Sequence, residues 1–164
     1  MTIMQRKIIF ILIMIAVALL TSFQTTEDDY LKITANVAPQ YIKQGNEGTL
    51  KIRITPKNGI RISPHPDFVI RLDTNTNLSF SKLFFTASEL DFQTKQENGA
   101  VFLELEKEVD IRFKVHPDSL IGKQKISGEV IFTAVFKDNW SLKTYQKFDI
   151  DFNSFRDSNL KPKK

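Results

Sequence analysis

The chain contains no cysteine. Thiol–disulfide exchange, thiolate metal ligation and cysteine nucleophilic catalysis are therefore closed to it, because each needs a thiolate. Glycine and proline are sparse, six of each in 164 residues, which argues against a collagenous or low-complexity chain. No apolar run reaches the roughly 20 residues that a spanning helix requires. The longest, Ile8 to Leu20, has 13 residues and follows Arg6 and Lys7. Charge of one sign is also missing. Removing residues 1–22 takes away two basic residues, leaving 21 basic against 19 acidic, a net of +2. Three of the basic residues are Lys161, Lys163 and Lys164, so the body is near neutral and no basic stripe interleaved with aromatics marks a nucleic-acid surface. A glycine-rich phosphate loop and an amphipathic membrane helix are absent as well.

What is present at the N-terminus is a basic start, a short apolar run and then Thr21-Ser22, the order of a secretory signal peptide. Residues 1–22 are expected to be that signal and residues 23–29 a polar spacer, which puts the protein in the periplasm or outside the cell. A membrane enters only if the segment stays uncleaved as an anchor. An exported chain without disulfides must be held by its core alone. The fourteen phenylalanines, all but Phe10 beyond the expected signal, supply large apolar area for it.

From Tyr30 the hydrophobic period is two. Leu31, Ile33, Ala35 and Val37 alternate with polar residues, as do Leu50, Ile52 and Ile54. Side chains on a strand face opposite ways, so each run has a buried and a wet face. Gln44 to Gly48 and Pro56 to Gly59 carry turn chemistry. Short strands are expected at Ile60 to Ile62 and Phe68 to Leu72. Residues 78–93 give no clear period. Val101 to Val115 reads as one bent strand or as two joined near Lys107. Lys125 to Phe136 and Trp140 to Phe152 form the clearest hairpin, around Asp138-Asn139. The expectation is an all-β, immunoglobulin-like β-sandwich of 7–9 antiparallel strands over residues 30–152, with 153–164 as a polar tail.

Several residues stand out as site candidates. His65-Pro66-Asp67 and His116-Pro117-Asp118 repeat one tripeptide. Two histidines and two aspartates suit zinc if they meet, but Pro and Asp also build strand-ending turns. Asp149 and Asp151 share a face with Lys143 and Lys147, which reads as a solvated charged strand, as do Glu104, Glu106 and Glu108. Trp140 shares the parity of Leu142 and Phe148, which places it in the core. Its alternative is an exposed anchor at a loop tip. Phe136, Asp138, Asn139, Trp140 and Tyr145 form the candidate recognition patch. No catalytic residue, metal site or cofactor is assigned.

Val37-Ala38-Pro39, Gln44-Gly45, the strand Leu50-Lys51-Ile52-Arg53-Ile54, the turn Pro56 to Gly59 into Ile60-Arg61-Ile62, and Leu120-Ile121-Gly122 before Gly128 to Ala134 follow one another in a telling order. In that order the chain resembles the N-terminal immunoglobulin-like domain of the DsbD family of periplasmic thiol:disulfide interchange proteins. The resemblance implies a redox hairpin with two cysteines separated by five residues. The matching positions here are Val135 and Ser141, and neither carries sulfur. It therefore implies the fold and compartment without the electron relay, and a thioredoxin-like or membrane redox protein as the partner. A non-catalytic protein-interaction module is the first functional expectation. An accessory subunit of a thiol-redox or cytochrome-maturation system is the second, and a metal-dependent enzyme using His65 and His116 the third.

Overall fold

The computed structural model describes residues 30–65 and 68–156. The signal, the spacer, Pro66, Asp67 and residues 157–164 lie outside the described residues. Period-two alternation becomes strand over most of its length, with a break at residues 105–107, and strands also form where no such period is evident. In chain order they are β1 (Leu31–Ala38), β2 (Tyr41–Lys43), β3 (Glu47–Pro56), β4 (Arg61–Ile62), β5 (Val69–Leu72), β6 (Leu78–Phe80), β7 (Phe84–Thr86), β8 (Gln93–Glu97), β9 (Ala100–Glu104), β10 (Glu108–Val115), β11 (Gly122–Val135) and β12 (Ser141–Phe155).

Two sheets carry the fold. One has the order β1-β3-β10-β6, and the other β2-β12-β11-β5-β7 with β4 on the end of β11. The places match an immunoglobulin sandwich, a four-stranded sheet opposed to one built on the last hairpin. Pro39, which lacks an N–H, follows β1, and the chain then crosses to β2 in the facing sheet. β2 runs parallel to β12, pairing Tyr41 with Asn153 and Lys43 with Phe155. The expectation of purely antiparallel strands is corrected at this point. So is the tail, since Asn153, Ser154 and Phe155 belong to β12 rather than to a frayed end. The number of strands exceeds the expected 7–9 because β2, β4, β6 and β7 are each two or three residues long. Such short elements leave no readable period.

The inward residues of the two sheets interdigitate. Phe113 of β10 meets Phe152 of β12 with ring centroids 5.4 Å apart, and Phe80 lies 5.7 Å from Phe113. Leu50, Ile52 and Ile54 of β3 and Val130, Phe132 and Ala134 of β11 belong to one core cluster, all fully buried. Gly128 sits where the β5 backbone and the Phe148 ring press against β11. A Cβ there would lie 2.6 Å from the Arg71 carbonyl oxygen and 2.9 Å from the Phe148 ring, so only glycine fits.

The long run Val101 to Val115 is two strands, divided at residues 105–107. β10 joins the core sheet, whereas β9 pairs only with β8 in a separate two-stranded hairpin. Glu104, Glu106 and Glu108 are exposed, as the sequence implied, and Glu108 pairs with Lys51 at 3.3 Å.

Residues 86–91 form a single helical turn closed by a reciprocal cap. The Thr86 N–H donates to Glu89 Oε2 at 2.9 Å, and the Glu89 N–H to Thr86 Oγ1 at 3.4 Å. Lys82 Nζ reaches Glu89 Oε1 at 2.5 Å. Lys82, then the Thr86 N–H and hydroxyl, pull the Glu89 carboxyl down to about 2 from its ordinary 4.5. A depressed carboxylate contributes its stabilisation above the unfolded value and loses it as pH falls through the folded one. The cap is therefore expected to hold at neutral pH and to open between pH 4.5 and about 2. Hydrogen exchange of the Thr86 amide across that window reads the opening.

Candidate functional site

The β11–β12 hairpin ends in the loop Lys137-Asp138-Asn139. The Asn139 N–H donates to the Phe136 carbonyl at 2.9 Å and the Phe136 N–H to the Trp140 carbonyl at 3.0 Å. Asn139 has φ 64°, the left-handed conformation that closes a three-residue hairpin loop, and asparagine tolerates it well. Asp138 lies in the same turn and is exposed.

This loop sets the surroundings of Trp140. The strand β12 begins at Ser141, so the alternation that holds from Leu142 to Phe152 does not reach Trp140. Trp140 is 48% exposed, which corrects its placement in the core. Its ring stacks on Phe136 with centroids 4.3 Å apart and planes at 28°. Tyr30 meets Phe136 edge-on at 5.6 Å, so the tip carries three contiguous aromatic rings. Tyr145, the fifth candidate, is not part of this cluster. It lies on the outer face of the sheet, opposite Ile131, and is 50% exposed.

A charged rim surrounds the aromatics. Arg61 of β4 pairs with Val135 in register, and its guanidinium reaches Asn139 Oδ1 at 3.5 Å. The same guanidinium lies 4.3 Å above the Phe102 ring and 3.9 Å from Glu97. Arg61 thus ties the hairpin tip to the β8–β9 hairpin. Between β4 and that hairpin runs an open groove of about 410 Å³, lined by Ile60, Arg61, Glu97, Phe102, Leu105 and Lys107 among others. The sequence reading missed this groove. Its residues come from segments 56–62 and 91–107, and no local pattern brings these two together.

Val135 and Ser141, the positions that match the family's cysteines, are register partners across the hairpin. Phe136 and Trp140 form the hydrogen-bonded pair at the loop, so Val135 and Ser141 are the next, non-hydrogen-bonded pair. Cα atoms in such a pair approach to about 4.5 Å, within the range that a disulfide spans. A Val135→Cys, Ser141→Cys variant is expected to oxidise quantitatively in air to an intramolecular disulfide. Thiol titration with and without reductant checks this, and two persistently free thiols would contradict the geometry.

The histidines do not come together. His65 lies two residues beyond Ser63, whose N–H bonds the Thr133 carbonyl near the hairpin tip. Its own N–H bonds Ser63 Oγ at 3.1 Å, a local turn contact. His116 follows Val115 at the other end of the sandwich, where Val115 accepts from Gly45 and Phe155 accepts from Gln44. The His116 N–H is taken by the Asn77 carbonyl. Both are turn residues at opposite ends. Among the described residues no group of three or more His, Asp or Glu side chains converges as a metal site. Asp149 and Asp151 pair with Lys125 at 3.2 Å and Lys123 at 2.8 Å, the charged face that the sequence suggested.

Fold and tip together define an immunoglobulin-like β-sandwich with an aromatic loop at one end. No protein-family model matches the sequence, and no curated protein matches it. Among solved structures, the chain is similar in outline to BcpA, the major pilin subunit of Bacillus cereus, at 9% identity and a TM-score of 0.43. That match covers 77% of this chain, which spans 40% of the pilin's length. It is also similar to the seventh ScaB type I cohesin of Pseudobacteroides cellulosolvens, at 15% identity and a TM-score of 0.41 over 80% of this chain and 97% of the cohesin. A type I cohesin–dockerin complex from Clostridium thermocellum gives 18% identity and a TM-score of 0.39, covering 76% of this chain and 99% of the matched chain.

Proposed function

We propose that this is an exported, non-catalytic module that docks a protein partner through the end of the β11–β12 hairpin. The observation that carries the reading is the half-exposed Trp140, stacked on Phe136 at 4.3 Å within a rim of polar and charged groups. Tryptophan at such a site gives large contact area for little lost side-chain entropy, and it is favoured where a few residues dominate binding. The side chains around it, Lys137, Asp138, Asn139 and Arg61, offer hydrogen bonds and charge but no assembled nucleophile or acid–base pair.

A second reading is favoured by one further observation. Val135 and Ser141 face each other where the DsbD-like resemblance would place a reactive disulfide. In this reading the protein is an accessory subunit of a periplasmic thiol-redox or cytochrome-maturation system, keeping a docking end without the relay. Its partner is then a thioredoxin-like or membrane redox protein. Site-specific photocrosslinking in the native envelope tests both. A probe at position 140 is expected to yield one discrete adduct that a probe at Leu120, at the far end, does not. A thioredoxin-like protein in the adduct supports the second reading, another protein supports only the first, and no adduct from position 140 overturns both.

A further inference from the structure

β12 pairs with β11 along its whole length, but on its other side only Asn153 to Phe155 pair with β2. Among the described residues no strand pairs with this other side between Ser141 and Phe152. β1 passes near β12 there without pairing: the Leu31 N–H donates to Gln146 Oε1 at 3.1 Å and Gln146 Nε2 donates to the Leu31 carbonyl at 2.8 Å, so the Gln146 side chain is turned to β1 and not to the edge. The hydrogen-bond parity says which groups face the gap. Phe136 and Trp140 are a hydrogen-bonded pair, so on β12 the even-numbered residues direct their N–H and C=O toward β11. The odd-numbered ones point away. The β2 contacts agree, since Asn153 donates to Gln40 and Phe155 accepts from Gln44. The backbone groups of Lys143, Tyr145, Lys147 and Asp149 therefore face an open edge. The edge is bounded by the hairpin tip at Ser141 and by the Gln40 side chain at the Asp151 carbonyl. Its midpoint is Gln146.

We propose that this edge pairs with the same edge of a second copy of the chain, antiparallel and about a two-fold axis through Gln146. That register sets Lys143 against Asp149 of the second copy, and Tyr145 against Lys147 of the second copy. Each hydrogen-bonded pair then joins unlike charges or sets an ammonium by an aromatic ring. Shifting the axis to Tyr145 opposes Lys143 with Lys147, and shifting it to Lys147 opposes that lysine with itself. Like charges directly opposite are destabilising. Lysines on an edge strand ordinarily discourage pairing; here they reject the two adjacent registers, and among the registers that oppose no like charges the one about Gln146 is centred on the open stretch and pairs all four of its outward-facing residues. Four pairs with two bonds each give about eight backbone hydrogen bonds, and two sandwiches share one continuous sheet. Phe136 and Trp140 lie outside the paired window, so this dimer is independent of the docking proposed for the tip.

Sedimentation equilibrium of the full chain as isolated tests the proposal. The expected result is a concentration-dependent mass that rises from that of one chain toward twice that value. Lys143→Glu and Asp149→Lys each turn two symmetric attractions into repulsions and are expected to weaken association by about tenfold or more. The double variant restores unlike charges and is expected to dimerise like the unaltered chain. Tyr145→Pro removes an edge N–H that β11 does not use and is expected to be monomeric with an unchanged circular dichroism spectrum. A monomer at every concentration overturns the proposal, as it would if residues 23–29 cover this edge within one chain. Association indifferent to Lys143→Glu, as an apolar N-terminus would produce, also overturns it, and so does a double variant that stays monomeric.

Discussion

Truncation of Phe152 to alanine is expected to destabilise the protein by about 3–5 kcal/mol, the usual cost of removing a fully buried phenylalanine. Phe152 has no exposed surface and lies against Phe113 across the two sheets. The lost transfer free energy adds to the cost of a cavity beside Phe113, which itself lies against Phe80. No disulfide is present to limit the unfolded chain, so this loss falls directly on a total stability of about 5–15 kcal/mol. Denaturant unfolding with an unchanged slope and a lowered midpoint checks the size. A change below about 1 kcal/mol would mean that the sheets do not pack as described.

Trp140→Ala is expected to behave in the opposite way. The side chain is half exposed, and its stack on Phe136 contributes about 0.5–1.5 kcal/mol to folding. Its effect on binding is expected to be larger, about 2 kcal/mol or more, or roughly thirtyfold in affinity. The discriminating measurement is the pair of numbers on one variant. A small midpoint shift with a large loss of affinity for the crosslinked partner supports docking at the tip. A large midpoint shift with unaltered affinity would assign Trp140 to stability alone.

The sandwich was legible because most of its long strands alternate, β11, which buries residues of both parities, being the exception. β1, β3, β10 and β12 each bury one parity of residues, and the sequence alone assigned those faces. Trp140 was misplaced by the same rule. The parity of Leu142 and Phe148 was carried back through a loop in which Asn139 turns left-handed, and beyond a loop of that kind parity no longer holds. β2 was missed because three residues cannot show a period, and its parallel pairing with β12 depends on contacts more than 100 positions away. The β8–β9 hairpin was missed for another reason. Only β9 turns buried residues, Phe102 and Leu103, toward the sandwich; β8 has no buried residue, and its mixed polar sequence resembles a loop. The groove beside it depends on that hairpin and was equally invisible.

The candidate site was half legible. Phe136, Asp138, Asn139 and Trp140 are brought together at the tip, whereas Tyr145 is carried to the open edge and outer face of the sheet. Arg61 could not be found from the sequence. It enters the site only because β4 pairs with the end of β11, and a two-residue strand leaves no local signal.

Amide hydrogen exchange of the protein alone and with its crosslinked partner tests the claim that one end of the sandwich does the binding. Added protection confined to residues 57–61 and 135–141 is the expected footprint. Protection centred on Leu120 to Gly122 and the β2–β12 junction, with the tip amides unchanged, would contradict it.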